Sequence, residues 1–142
     1  EIDEKKFKLF LFDIGIAQRM LGLDLAEWIT HPVELKYLGP MAEQFVAQEF
    51  IAYSAENKTA QLYYWQNESK DTNAEVDFIG IKNKQAVPIE VKSNIKGGMK
   101  SLQIYLKKHP ETKTALKISE GPFATQNYLQ EIPLYGIIHW LK

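Results

Sequence analysis

The residues best suited to chemistry are Asp77, Glu90 and Lys92, two acids and a lysine on neighbouring apolar segments. EVDFIGI and AVPIEVK, the segments that contain them, are separated by four residues, which predicts an antiparallel hairpin turning at Asn83-Lys84. In that register Asp77 lies opposite Glu90 on one face. Directly opposed Cβ atoms are about 4.5 to 5.5 Å apart, so two like charges there need a cation or a proton to offset them.

A divalent metal is the simplest cation for this position, because Mg²⁺ binds through one or two carboxylates and keeps waters for a substrate. Glu75 lies opposite Lys92 in the same register and is expected as a supporting acid behind the metal ligands. Lys92 is expected to orient or deprotonate an attacking water and to offset charge on a phosphate that the metal polarises. The predicted reaction is phosphodiester hydrolysis. In the alternative interpretation these charges are a solvated hairpin end, where the Glu75–Lys92 pair contributes at most about 1 kcal/mol.

Composition limits the other classes of function. The chain has 142 residues, 45% of them hydrophobic, which is typical of one compact soluble domain. No apolar run approaches the roughly 18 residues of a membrane span, so no membrane association is expected. The absence of cysteine excludes disulfides and a thiolate zinc site and fits a reducing compartment, so a cytoplasmic location is predicted. The three histidines lack metal-ligand spacing.

Apolar spacing and turn residues predict the remaining elements. Helices are predicted over residues 16–21, 41–53 and 99–109, and strands over residues 7–12, 62–65, 75–81, 86–92 and 114–119. Asp13 is expected to form a turn or a helix cap, and Gly22 to end the first helix. The tail from Phe123 is expected to contain a short helix. The order helix, three strands, helix, strand predicts an α/β fold with a mixed sheet flanked by helices.

An acid on one strand and the Glu90-Val91-Lys92 triplet on the next resemble the signature of the PD-(D/E)xK, or restriction-endonuclease-like, superfamily. Asp77 matches the first acid, and Glu43, in the run GPMAEQFV, stands where that superfamily has a helical glutamate. The resemblance implies a restriction-endonuclease-like core in α-β-β-β-α-β order. It also implies that Glu43, Asp77 and Glu90 bind one or two Mg²⁺ or Mn²⁺ ions.

More closely, the chain resembles the domain of unknown function that forms the C-terminal half of many bacterial and archaeal AAA-type P-loop ATPases. The segments that are similar are FDIGIA, GPMAEQFVAQE, YYWQ, EVDFIG and PIEVKS. This resemblance spans roughly residues 7–141 and implies that residues 1–142 are one nuclease-like domain behind an ATPase domain, its expected partner. The chain has no GxxxxGK[ST] phosphate loop, so ATP hydrolysis is not expected of it.

The candidate residues also have structural interpretations. Glu43 falls in the first turn of its predicted helix, where the helix dipole favours any acid, and Glu49 is the second choice as a metal ligand. The aromatic run from residue 63 to residue 65 fits a core strand better than a base-stacking surface. Four lysines after the hairpin either follow a phosphate backbone or form a solvated helix face: Lys96, Lys100, Lys107 and Lys108.

Two classes of function remain open at this point. The first is a metal-dependent nuclease domain, with DNA as the expected nucleic acid and Asp77, Glu90, Lys92 and Glu43 as the site. The second is a catalytically silent nuclease-like module that binds nucleic acid or a partner protein, since a fold does not fix a function.

Overall fold

The computed structural model describes residues 5–22, 35–53, 61–68, 73–94 and 98–141. The elements in chain order are α1 (Ile14–Met20), α2 (Leu35–Ala52), β1 (Tyr63–Gln66), β2 (Glu75–Lys82), β3 (Gln85–Val91), α3 (Lys100–Lys108), β4 (Ala115–Ser119), β5 (Ala124–Gln126), β6 (Leu129–Pro133), a 3₁₀ turn (Leu134–Gly136) and α4 (Ile137–Leu141). The predicted order of helix, three strands, helix and strand is confirmed from α2 to β4.

The strands form one mixed sheet in the order β1-β2-β3-β4-β6-β5. Neighbours β1–β2, β2–β3 and β5–β6 are antiparallel, whereas β3–β4 and β4–β6 are parallel. The predicted α/β class, a mixed sheet flanked by helices, is therefore confirmed. The prediction that β4 is the last core strand was wrong. The sequence hides β5 because its three residues are all exposed and show no apolar pattern.

The β2–β3 hairpin has the predicted register over its regular part. Phe78 pairs with Ile89 and Gly80 with Val87, and the connection consists of residues 83 and 84. Asn83 has φ 53° and Lys84 has φ 63°. Two central residues with positive φ are typical of the type I′ turn, whose twist matches that of the flanking strands.

Replacing Lys84 by glycine is expected to stabilise the domain by about 1 kcal/mol, because a left-handed backbone costs an L-residue roughly that much and costs glycine little. Urea unfolding of Lys84→Gly beside the unmodified protein checks this. Gln85→Gly, at the first residue of β3, is the control and is expected to lower the free energy of unfolding. A Lys84→Gly variant that is less stable than the parent would contradict the turn assignment.

The β2–β3 ladder changes at its open end. Regular pairing stops at Phe78–Ile89, and the backbone N–H of Val91 donates instead to Asp77 Oδ2 at 2.7 Å. On the other side of β2, the register with β1 shifts by one residue at this same level, which is a β-bulge. Bulges re-aim side chains and are common beside functional sites. The predicted backbone pairs beyond Phe78 are thus replaced by a side-chain contact.

The main core lies between the sheet and the helices α2 and α4. Its buried side chains are Ala42, Val46, Ala47, Phe50, Phe78, Val87, Ile89, Val91, Leu116, Ile118, Ile132, Ile137 and Trp140. Gly80 allows Trp140 to lie directly on β2, because a Cβ at that position would be 2.6 Å from Trp140 Cη2. Helix α3 also packs on β2 and β3, with Leu102 and Tyr105 buried. None of the described helices has the length and apolarity that a bilayer crossing requires.

Two predictions in the N-terminal part were wrong. Residues 7–12 form no strand, since their backbone is bound by side chains of α2 and not by a neighbouring strand. Helix α2 begins at Leu35, not after Pro40, and Pro40 lies inside it. Glu43 is therefore well beyond the first turn, and the helix dipole does not explain an acid there. Asp13 caps α1 as predicted, accepting a bond from the N–H of Ile16 at 3.0 Å.

Candidate functional site

Four carboxylates gather near the open end of the β2–β3 hairpin, and we call them the acidic cluster: Glu43, Glu75, Asp77 and Glu90. Glu75 and Asp77 come from β2, Glu90 comes from β3, and Glu43 comes from α2. Two lysines accompany them, Lys92 directly after β3 and Lys8 from the N-terminal segment. The sequence predicted all four acids and Lys92, but not Lys8.

Asp77 and Glu90 are the buried members of the acidic cluster, with 8% and 3% of their surfaces exposed. Asp77 Oδ2 accepts the bond from Val91, and Glu90 Oε1 lies 2.5 Å from Lys92 Nζ. Glu90 Oε2 is buried and accepts no hydrogen bond from any residue that the structure describes. An unpaired buried carboxylate oxygen is costly, so this oxygen needs a proton or a cation.

Burial and mutual repulsion raise the pKa of three of these acids. The pKa of Glu90 rises to about 7, first through burial and then through the charge of Asp77, while Lys92 acts in the opposite direction. Burial is the main cause of the raised pKa of Asp77, which the N–H of Val91 and the lysines partly offset. The pKa of Glu43 is also raised, by burial and by Asp77. These three acids therefore hold their protons to higher pH than free carboxyls do, because negative charge is unfavourable in this mostly buried cluster.

Lys8 reaches three members of the acidic cluster. Its Nζ lies 2.5 Å from Glu75 Oε1, 3.4 Å from Glu43 Oε2 and 3.8 Å from Asp77 Oδ1. Only 19% of the lysine side chain is exposed. The three carboxylates raise the pKa of Lys8 although burial alone would lower it. Lys8 therefore remains an ammonium ion that supplies positive charge to this side of the acidic cluster.

Side chains of α2 hold the segment that contains Lys8. Gln44 makes two bonds with Leu11: its Oε1 accepts from the Leu11 N–H at 2.9 Å, and its Nε2 donates to the Leu11 carbonyl at 2.6 Å. Gln48 Nε2 donates to the carbonyl of Phe12 at 2.6 Å. Phe10 stacks on Phe78 of β2 with ring centroids 5.6 Å apart. Phe10 and Lys8 are thus directed inward at alternate positions, but the sequence shows no matching alternation, because the exposed residues Phe7, Leu9 and Phe12 are apolar as well.

The other predicted site residues have different surroundings. Glu49 is half-buried and has no described contact with the acidic cluster. Lys100, Lys107 and Lys108 are exposed, whereas Lys96 lies outside the described residues. Lys108 donates to the side chain of Asn67, and its Nζ lies 5.8 Å from the ring centroid of Trp65.

The aromatic strand β1 is half-buried. The Trp65 ring packs edge-on against Tyr105 of α3, with centroids 5.3 Å apart. The Lys8 Nζ lies 5.4 Å from the centroid of Tyr64. The side chains of β1 therefore contact other side chains of the protein, but each of them also keeps part of its surface exposed.

The acidic cluster matches a hard metal ion in its donor chemistry, because all its ligands are oxygens and Glu90 Oε2 lacks a partner. In the described part of the chain, no three carboxylate or imidazole groups are arranged as a ready metal site. The buried pair Asp77 and Glu90 suits an ion that takes two carboxylates and several waters. Glu43 and Asp77 are engaged with Lys8 instead.

The fold and this site define a mixed α/β domain with partly neutralised, buried acids at the end of a central hairpin. The family model of the domain of unknown function DUF4143 matches residues 38–136, and the chain belongs to this family. The domain is often found after AAA ATPases. The match includes Glu43, Asp77, Glu90 and Lys92, whereas Lys8 precedes it. No curated protein and no solved structure matches the chain.

Proposed function

We propose that this domain hydrolyses phosphodiester bonds of nucleic acid, with DNA as the expected substrate and Mg²⁺ or Mn²⁺ as the cofactor. The observation that supports this most is the buried carboxylate of Glu90. Its Oε2 accepts no hydrogen bond from any described residue, and the neighbouring charge of Asp77 repels it. Such a pair is expected to bind a dication. Burial and mutual repulsion make the two negative charges unfavourable, and a bound cation offsets both effects.

The residues of the site would divide the work as follows. Asp77 and Glu90 bind the ion, and Glu43 contributes once it is released from Lys8. The metal, when bound, polarises a phosphate oxygen and lowers the pKa of a water. Lys92, 2.5 Å from Glu90, orients that water and offsets the charge that develops on the phosphate.

Mn²⁺ binding tests the metal part of the proposal, and Asp77 offers a matched pair of variants. Asp77→Asn keeps an oxygen that can accept the Val91 N–H but removes the charge, so we expect loss of Mn²⁺ binding in a folded protein. Asp77→Ala also removes the acceptor and is expected to cost a further 1 to 3 kcal/mol, roughly, in stability. Calorimetric titration and urea unfolding give both quantities. Mn²⁺ binding by Asp77→Asn equal to that of the parent would refute the site.

Cleavage of plasmid and single-stranded DNA with Mg²⁺ tests the catalytic part. Lys92→Ala is expected to lower the cleavage rate by about 10² or more while Mn²⁺ still binds, because the lysine acts on the water and the phosphate. Lys113→Ala, at an exposed position before β4, is the control. Equal cleavage by all three proteins would show that the activity does not come from this site.

A catalytically silent module is the second candidate, and Lys8 favours it. Its ammonium group lies near three of the four acids and supplies charge that a metal would otherwise provide. In that case the domain binds nucleic acid or a protein, with an ATPase domain as the expected neighbour in the full protein. Absence of Mn²⁺ binding and of cleavage in the parent protein would favour this second candidate.

A further inference from the structure

We propose that Lys8 is an internal competitor of the divalent metal, so that the N-terminal segment sets the metal affinity of the acidic cluster. This inference rests on the proposed metal site and adds a regulatory residue to it. The residue lies outside the hairpin that contains the acids, and it belongs to a segment without regular secondary structure.

The competition follows from shared ligands. Lys8 Nζ lies 3.4 Å from Glu43 Oε2 and 3.8 Å from Asp77 Oδ1, the two acids that with Glu90 would bind the ion. A metal bound to these oxygens would lie close to the ammonium group, where two cations repel each other strongly because the site is mostly buried. Metal binding and the present position of Lys8 therefore exclude each other.

Glu75 gives the displaced lysine a place to remain. Its Oε1 is the nearest acceptor of Lys8, at 2.5 Å, and 40% of the Glu75 side chain is exposed. The Lys8 side chain can thus withdraw toward solvent with Glu75 while Glu43 and Asp77 turn to an ion. This gives the predicted supporting acid a specific role, as the partner of the lysine.

The attachment of the segment allows this movement. Gln44 and Gln48 bind the backbone at Leu11 and Phe12, so the segment is fixed three and four residues after Lys8. Leu9, between the lysine and this attachment, is 80% exposed. Residues before Leu9 can therefore move away from the sheet without breaking the glutamine bonds to α2. Besides its own contacts, Lys8 would disturb the Lys6–Glu68 ion pair, 2.6 Å long, whose side chains are 40% and 72% exposed and which is therefore weak.

The test compares Mn²⁺ binding by the parent chain with three variants. Lys8→Met removes the charge and keeps an unbranched chain, and we expect it to bind Mn²⁺ at least about tenfold more tightly. A lysine within about 4 to 6 Å of a carboxylate weakens its affinity for a proton by one or more powers of ten, and it weakens the affinity for another cation in the same sense. Lys8→Arg keeps the charge and is expected to remain within about threefold of the parent on the same grounds. Lys113→Met, at an exposed position before β4, is the control.

The outcomes separate this inference from the proposed function. Tighter binding by Lys8→Met alone, or binding by Lys8→Met when the parent shows none, supports the competition. Equal or weaker binding by Lys8→Met beside a parent that binds overturns the competition and leaves the metal site intact. A complete lack of binding in every variant overturns both.

A second measurement uses the unmodified protein, so its result does not depend on whether Lys8→Met folds correctly. With ¹³C-labelled lysine, the Cε resonance of Lys8 is expected to shift on titration with Mg²⁺, while that of Lys113 stays constant. A purely structural ion pair would leave the Lys8 resonance unchanged, and that result would overturn the competition.

Discussion

Glu90→Gln is expected to become more stable relative to the parent as the pH rises, by about 3 kcal/mol between pH 4.5 and pH 8 in metal-free buffer. The reason is the raised pKa of Glu90, which moves from an ordinary value of 4.5 to about 7 through burial and the charge of Asp77. In the unfolded chain this carboxyl ionises freely, whereas in the folded chain ionisation places a second negative charge beside Asp77.

The sign follows from proton binding. Between pH 4.5 and 7 the folded state binds more protons at Glu90 than the unfolded state, so the stability of the parent falls as the pH rises. The contribution is fully present below pH 4.5 and is lost as the pH passes 7. Glutamine does not titrate, and removing the Glu90 charge also removes its repulsion with Asp77 and Glu43.

Urea unfolding of both proteins at pH 4.5 and pH 8, with a chelator present, measures this effect. The new buried amide has a cost of its own, but that cost is independent of pH and cancels when the same pair is compared at two pH values. Glu120→Gln, at an exposed carboxylate after β4, is the control. A stability difference between Glu90→Gln and the parent that is the same at both pH values would contradict the buried, repelled state of Glu90.

Ile89→Ala is expected to lower the free energy of unfolding by about 2 to 5 kcal/mol. Ile89 is fully buried and pairs with Phe78 of β2 on one side and Leu116 of β4 on the other. Truncation leaves a cavity in the middle of the sheet that the flanking strands cannot close. For a domain whose total stability is about 5 to 15 kcal/mol, this is a large fraction.

Ile89→Val provides the matched comparison, because it removes one methylene and is expected to cost only about 0.5 to 1.5 kcal/mol. Urea unfolding of both variants, at a pH where Glu90 is protonated, separates packing from charge. Equal costs for alanine and valine would mean that the site collapses around the smaller residue. Because Ile89 precedes Glu90, the alanine variant is also expected to weaken Mn²⁺ binding by loosening β3.

The central hairpin could be predicted because its signals are local. Alternation over two short apolar runs fixes the register, and a four-residue connection allows only a tight turn. The proximity of Asp77 to Glu90 followed from that register alone. The bulge in β2 and the bond from Val91 to Asp77 did not follow, because they depend on how β1 joins the other side of β2.

Lys8 could not be predicted because its contacts are distant in the sequence. It meets Glu43 across 35 residues, through a segment held by glutamine side chains and not by a regular ladder. Similarly, β5 escaped prediction because its three residues are exposed. The half-buried strand β6 escaped because the apolar residues of LQEIP are three positions apart and do not alternate. The predicted helix was shorter than α2 because proline is common at helix starts, whereas Pro40 lies inside this helix.

The order in which these contacts can form has a consequence for folding kinetics. Asp77 and Val91 are 14 residues apart and can meet as soon as the hairpin closes, whereas Lys8 must cover a much longer span of chain to reach the same acids. Short-range contacts generally form before long-range ones. The early hairpin therefore brings Asp77 and Glu90 together with Lys92 beside them but without Lys8. The barrier to folding includes the remaining repulsion of the two acids at neutral and alkaline pH.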